Sequence, residues 1–312
     1  MNINEHLGLE KYVASVEELS EVNLHEECYY NKTKEIYVGQ GANKNVTLYC
    51  KTESKRLLVV IGESWTYGDN LKPHVRCVED KDNIPYRVST IFAGKVATYL
   101  KSDLLLNSQP GNCNINHYYR LREYIDVIKE NDSYDEVFLI FQLTSPGRDY
   151  RNNMVDEPIK HLFSKTPNQY PVLEYNDWQH EYDKTYFNLI EEQVKRIPFK
   201  SSVVWKNFNE FHYKEREQFS FNVIEHPFMR LVVQMSGYDF EPSKNMEHTF
   251  YENLHELYNL KVDTKTLEEE VDKQNKGLGL LGKSMLNNFH PNEQGHWFLT
   301  ALIVDKFKSN GY

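Results

Sequence analysis

Cysteine, glycine and proline are all scarce in this 312-residue chain, at 4, 14 and 11 residues. Cys28, Cys50, Cys77 and Cys113 are widely spaced and form no C-x-x-C pair. That spacing excludes a zinc ribbon and a dense disulfide scaffold, leaving reduced cysteines that act as small hydrophobes. The low glycine and proline content excludes a collagen-like chain. Long hydrophobic runs are missing too. The longest wholly apolar stretches, such as Leu57–Ile61, have five residues, against the roughly 20 that span a bilayer. The opening, Met1-Asn2-Ile3-Asn4-Glu5-His6, has neither a basic flank nor an apolar run, so no signal peptide is expected. Basic charge is in deficit: 36 Lys and Arg against 46 Asp and Glu give a formal net charge of −10. An acidic chain repels a phosphate backbone, and no basic cluster offsets it, so nucleic acid is not an expected partner. The sequons at Asn31, Asn45 and Asn131 carry no meaning without secretion. The expectation is a soluble, cytoplasmic protein with no membrane partner.

What the chain does have is aromatic mass. Its 22 Tyr, 16 Phe and 4 Trp exclude a disordered chain and allow a sizeable core. Residues 1–54 are polar and mixed, and read as an N-terminal extension with a short helix at 12–24 and β segments at 35–38 and 45–50. The pattern changes at Arg56-Leu-Leu-Val-Val-Ile61-Gly62, a continuous apolar run that suits a strand buried on both faces. Helical spacing follows over 86–100, then a strand at 103–107, an amphipathic segment at 117–128, a strand at 135–141, a helix at 186–197 and a strand at 201–205. The tail repeats Trp297, Phe298, Ala301, Leu302, Val304 and Phe307 and predicts a docked helix over 293–309. Strands alternating with helices predict an α/β domain over 55–312 with a doubly wound parallel sheet. Stretches 146–185 and 208–280 are less regular and read as insertions.

Three motifs compete. Gly277-Leu-Gly-Leu-Leu-Gly-Lys-Ser284 matches the letters of a P-loop and also of G-x-G-x-x-G. A phosphate cradle needs a buried strand before it and a helix after it. Here Glu268-Glu-Glu-Val-Asp-Lys-Gln-Asn-Lys276 precedes it, and Asn287-Asn-Phe-His-Pro291 follows. The context fails, and a plain glycine loop is the better reading. The second motif, Gly62-Glu63-Ser64-Trp65-Thr66, lies at the C-terminal end of the first buried strand, where ligand and catalytic groups gather in open α/β sheets. It is not a G-x-S-x-G elbow, because Thr66 replaces the second glycine. Alone it is a turn serine. The third, Asn287-Asn-Phe-His290-Pro291-Asn292-Glu293, holds a histidine between a proline and a helix start, where it could serve as a general base. Alone it is a helix entry capped by Asn292.

Taken together, a serine after strand one and a histidine before the last helix resemble the SGNH hydrolases, the GDSL esterase and lipase superfamily. Gly62-Glu63-Ser64 stands for the family's Gly-Asp-Ser block, and Gly111 for its glycine after strand two. Gln142-Leu-Thr144-Ser145-Pro-Gly-Arg148 occupies the third block, and Asn287-Asn288-Phe289-His290 the Asp-x-x-His block. The resemblance implies a three-layer α/β/α, flavodoxin-like fold with about five parallel strands. It also implies Ser64 as nucleophile, His290 as base and Asn287 as the third member. Ser64, Gly111 and Thr144 would form the oxyanion hole, and Trp65 and Arg148 would bind substrate. No cofactor and no metal are implied.

Two departures bear on activity. Thr144 replaces an oxyanion-stabilising asparagine, and Asn287 replaces an aspartate that would orient the imidazole. A Ser–His dyad, or another acid such as Glu293, would then have to suffice. The function expected is an acyl-ester hydrolase on a small-molecule or carbohydrate ester, with carbohydrate O-deacetylation the finer expectation. An acyltransferase and a non-catalytic module on the same fold are the alternatives. Oligomeric state is not legible.

Overall fold

The computed structural model describes residues 32–37, 45–50, 54–69, 71, 84–129, 134–144, 149, 172–206, 218–224, 286–287, 290–291 and 293–312. Its strands are β1 (Lys32–Tyr37), β2 (Asn45–Cys50), β3 (Arg56–Gly62), β4 (Asp103–Ser108), β5 (Glu136–Leu143), β6 (Ser201–Lys206) and β7 (Asn222–Ile224), with a small pair, β8 (Leu286–Asn287) and β9 (His290–Pro291). The helices are α1 (Ser64–Tyr67), α2 (Ile84–Thr90), α3 (Phe92–Tyr99), α4 (Asn114–Lys129), α5 (Val172–Val194) and α6 (Glu293–Ser309). This is an α/β protein built on a mostly parallel mixed sheet.

Seven strands lie in the order β1-β2-β4-β3-β5-β6-β7. The five from β4 to β7 run parallel, β3 between β4 and β5. The continuous apolar run of β3 places it in the middle, because a strand covered on both faces has no polar side to offer water. Its residues alternate between two cores. Leu58 and Val60 pack with Phe92 and Val96 of α3 and Ile303 and Phe307 of α6. Leu57, Val59 and Ile61 pack with Leu121 and Ile125 of α4 and Tyr186 and Ile190 of α5. From β3 the chain moves out to β4 and then crosses back to β5 on the other side. The connections therefore diverge between β3 and β5, opening a crevice at their C-terminal ends.

Four expectations change. The sheet carries two more strands than the expected five, since β2 pairs antiparallel with β4 and β1 with β2. Backbone pairing thus ties residues 45–50 to the main sheet. The single helix expected over 86–100 is two, broken at Ile91, whose ψ of 154° is extended. Gly94 explains the tight corner: a Cβ there would stand 1.8 Å from the Val88 carbonyl oxygen, a contact only glycine avoids. Helix α5 begins at Val172, well before the expected 186, inside a stretch read as irregular. Strand β7 lies in the other such stretch; at three residues it is too short to show a period. The helix expected over 12–24 lies outside the described residues. No helix among the described residues is long and apolar enough to cross a membrane.

Candidate active site

The site is built at the end of β3. Gly62 closes the strand, and Glu63 caps α1, its carboxylate accepting from Trp65 N at 3.3 Å. Ser64, the first residue of α1, is buried with only 4% of its surface exposed. Across from it, β8 and β9 pair antiparallel with Asn287 opposite His290 in backbone register. His290 Nε2 lies 2.9 Å from Ser64 Oγ. The two residues are 226 positions apart in sequence, and the fold brings them into hydrogen-bond contact.

Ser64 has a second neighbour: its hydroxyl donates to Glu63 Oε2. An ionised carboxylate only accepts, so with the hydroxyl proton directed there, His290 Nε2 is the donor to Oγ. In the other tautomer, with the imidazole proton on Nδ1, Nε2 is free to accept, and rotation about Cβ–Oγ turns the hydroxyl proton toward it without moving a heavy atom. One proton thus has two acceptors within reach. Asp69 adds another acid, its Oδ2 standing 3.9 Å from His290 Nε2. It reaches that point because Gly68 ends α1 in a left-handed turn, with Asp69 N bonded back to Ser64 O at 3.0 Å. Nothing in the sequence motif singled out Asp69.

Gln142, on β5, braces this loop. Its side-chain Oε1 accepts from Glu63 N at 3.1 Å and from the Thr66 hydroxyl, while Nε2 donates to Glu63 Oε1 at 2.9 Å. All these groups are fully buried, where an unpaired polar atom costs about 1–3 kcal/mol. The brace also dictates Gly62, since a Cβ there would lie 2.0 Å from Thr66 Oγ1 and 2.5 Å from Gln142 Oε1. The sequence offered Gln142 only as part of a loosely matched block, because a glutamine on a strand has no local signature.

Thr144 follows β5 and is fully buried, and its hydroxyl has no hydrogen-bond partner among the described residues. Gly111 is exposed in the turn after β4, at φ 77°. Ser64, Gly111 and Thr144 therefore follow three adjacent parallel strands at their C-terminal ends. Trp65 lies in the core, its side chain fully buried and its ring centroid 6.3 Å from that of Trp205. The reason is the helical turn of α1, which directs successive side chains apart and sends Trp65 inward. Glu293 opens α6. Arg148, Asn292 and the glycine stretch 277–284 lie outside the described residues, and of Asn287 only the backbone pairing is described.

Within α6, His296 is fully buried, and its Nδ1 accepts from Phe92 N at 3.2 Å. Burial, then the charges of Lys95 and His290, push its pKa down to about 3. It is a neutral structural imidazole. No group of His, Cys, Asp and Glu suited to a metal ion occurs among the described residues.

No family model matches the sequence, and no curated protein matches it. Two solved structures are similar in fold, both variants of Axe2, an acetyl-xylooligosaccharide esterase from Geobacillus Stearmophilus. One is 14% identical with a TM-score of 0.34, covering 83% of this chain and 94% of that one. The other is 15% identical with a TM-score of 0.34, covering 89% and 97%.

Proposed function

We propose that this chain is a serine-dependent ester hydrolase of the SGNH type, on a doubly wound α/β/α fold, with Ser64 as nucleophile and His290 as its base. The observation that carries the reading is the 2.9 Å contact between His290 Nε2 and Ser64 Oγ, set at the crevice between β3 and β5. In the first half-reaction Ser64 Oγ attacks the acyl carbon while its proton passes to His290 Nε2. The resulting oxyanion is held by the N–H groups of Ser64 and Gly111 and by the Thr144 hydroxyl. The imidazolium then gives its proton to the departing alcohol. Water, deprotonated by the same imidazole, releases the acid and restores Ser64. No metal or organic cofactor enters these steps. Burial of Ser64 favours a small acyl group such as acetyl, and the finer proposal is an acetylated carbohydrate.

A fluorophosphonate probe tests the nucleophile, because only a serine activated by a nearby base reacts readily. Native protein is expected to gain one adduct by intact mass, located on Ser64 by peptide mapping. Ser64→Ala is expected to lose both the adduct and turnover of 4-nitrophenyl acetate. A panel of acetylated sugars then tests the alcohol. Absence of an adduct, under conditions that label a control esterase, overturns the reading.

A further inference from the structure

Thr144 is held by an unusual partner. The side-chain amide of Asn114 accepts from Thr144 N at 2.6 Å and donates to Thr144 O at 2.8 Å. It acts as one more strand residue, continuing the ladder beyond the end of β5. The donor and acceptor characters of those two backbone atoms leave the amide a single orientation. Its other N–H donates to the Tyr182 hydroxyl at 2.7 Å, and that hydroxyl donates to Asp149. Asp149 also accepts from the Tyr186 hydroxyl at 2.6 Å and from Ile115 N at 3.1 Å. Asn114, Thr144, Asp149, Tyr182 and Tyr186 are all buried, each with at most 1% of its surface exposed.

Asn114 opens α4, three positions after Gly111 in the same short connection from β4. One side chain therefore joins the turn that carries Gly111 to the backbone of Thr144. A buried network of this kind is costly unless complete, and here every member is paired except one. The exception is the Thr144 hydroxyl, buried with no partner among the described residues. We propose that Asn114, backed by Tyr182 and Asp149, is a positioning residue that fixes the Thr144 hydroxyl as an oxyanion donor. This rests on the ester-hydrolase reading. Asn114 touches no reacting atom; it acts through Thr144, and the unpaired hydroxyl is completed when the oxyanion forms.

A double-mutant cycle on the full chain tests it, with 4-nitrophenyl acetate as substrate and melting temperature as the check on folding. Thr144→Val keeps the shape and removes the hydroxyl. It is expected to lower kcat about 100-fold, the loss typical of one oxyanion donor, with KM within threefold. Asn114→Ala is expected to lower kcat at least tenfold with KM similarly unchanged. Added to Thr144→Val, it is expected to cost less than a further threefold, because the group it positions is already gone. A merely structural role would reduce kcat by the same factor in both backgrounds, and that result overturns the proposal. So does a folded Asn114→Ala enzyme with kcat within threefold of wild type. If Asn114→Ala does not fold, Tyr182→Phe replaces it: a three- to tenfold loss of kcat is expected in the native background and none with Thr144→Val. An equal loss in both backgrounds, or none in either, again overturns it. Ser64→Ala runs alongside. If that variant keeps full turnover, the ester-hydrolase reading itself has failed, whatever the cycle returns.

Discussion

At Ser64 the chemistry turns on where one proton points. Glu63 and His290 both contact Oγ, and only the second leads to acyl transfer on the reading above. What favours the productive orientation is an imidazole carrying its proton on Nδ1 and leaving Nε2 open. A carboxylate facing Nδ1 selects that tautomer; in a serine protease, exchanging it for an amide costs on the order of 10⁴ in turnover. Asn287 is opposite His290 in the β8–β9 pair, which makes it the residue to alter. Asn287→Asp is expected to raise kcat on 4-nitrophenyl acetate at least about tenfold, equal to roughly 1.4 kcal/mol of barrier. A folded variant no faster than wild type, with Ser64→Ala inactive, would show that Asn287 is not the third member. Much of this neighbourhood was legible from residue order alone: Gly62-Glu63-Ser64 and His290 stand out because a strand end and a helix start bracket them. Asp69 and Gln142 were not, since one depends on a left-handed turn and the other on a neighbouring strand.

Among the elements, α3 and α6 are coupled by a contact that also sets a pH limit. The N-cap of α3, Ile91, has no side-chain acceptor to offer, yet the next amide, Phe92 N, is satisfied by His296 Nδ1 from α6. The ring also stacks on Phe92 with centroids 5.8 Å apart. His296 caps one helix while belonging to another, and it can do so only when neutral. Its pKa falls from 6.5 to about 3 on folding, so between those values the unfolded chain binds the extra proton. Stability from this group is complete above pH 6.5 and declines as the pH drops toward 3, by about 1.4 kcal/mol per pH unit. His296→Gln, which keeps an acceptor without a titrating ring, is expected to flatten the fall in melting temperature between pH 6.5 and 4. An unchanged slope in a folded variant would assign the acid sensitivity elsewhere.

For the molecule as a whole, charge is buried within the fold between β6 and α5. Lys206 ends β6 and its Nζ lies 2.9 Å from Asp183 Oδ1 on α5, both side chains being 0% exposed. Such a pair adds little over an apolar pair of the same shape, but losing one partner strands a charge and costs about 3–5 kcal/mol. Lys206→Met is expected to destabilise by that amount in urea unfolding, and adding Asp183→Leu to recover most of it. If the double variant is as unstable as the single, packing rather than stranded charge is the cause.

The sequence by itself determined the α/β class, the central position of β3 and the address of the Ser64 and His290 motifs. Each of these is written in local signals: apolar runs of strand length, helical spacing, and punctuation by glycine and proline. The flanking residues also argue against reading the glycine stretch 277–284 as a P-loop. Only the tertiary structure decided which side chains meet. The 2.9 Å approach of residues 226 apart, the inward turn of Trp65, the Gln142 brace and the Asn114 clamp all join elements distant in sequence. A hydrogen bond between two such side chains leaves no periodicity in either segment. It exists because the sheet order sets β3 between β4 and β5, and that order is fixed by burial of the whole apolar surface rather than by any one stretch of chain.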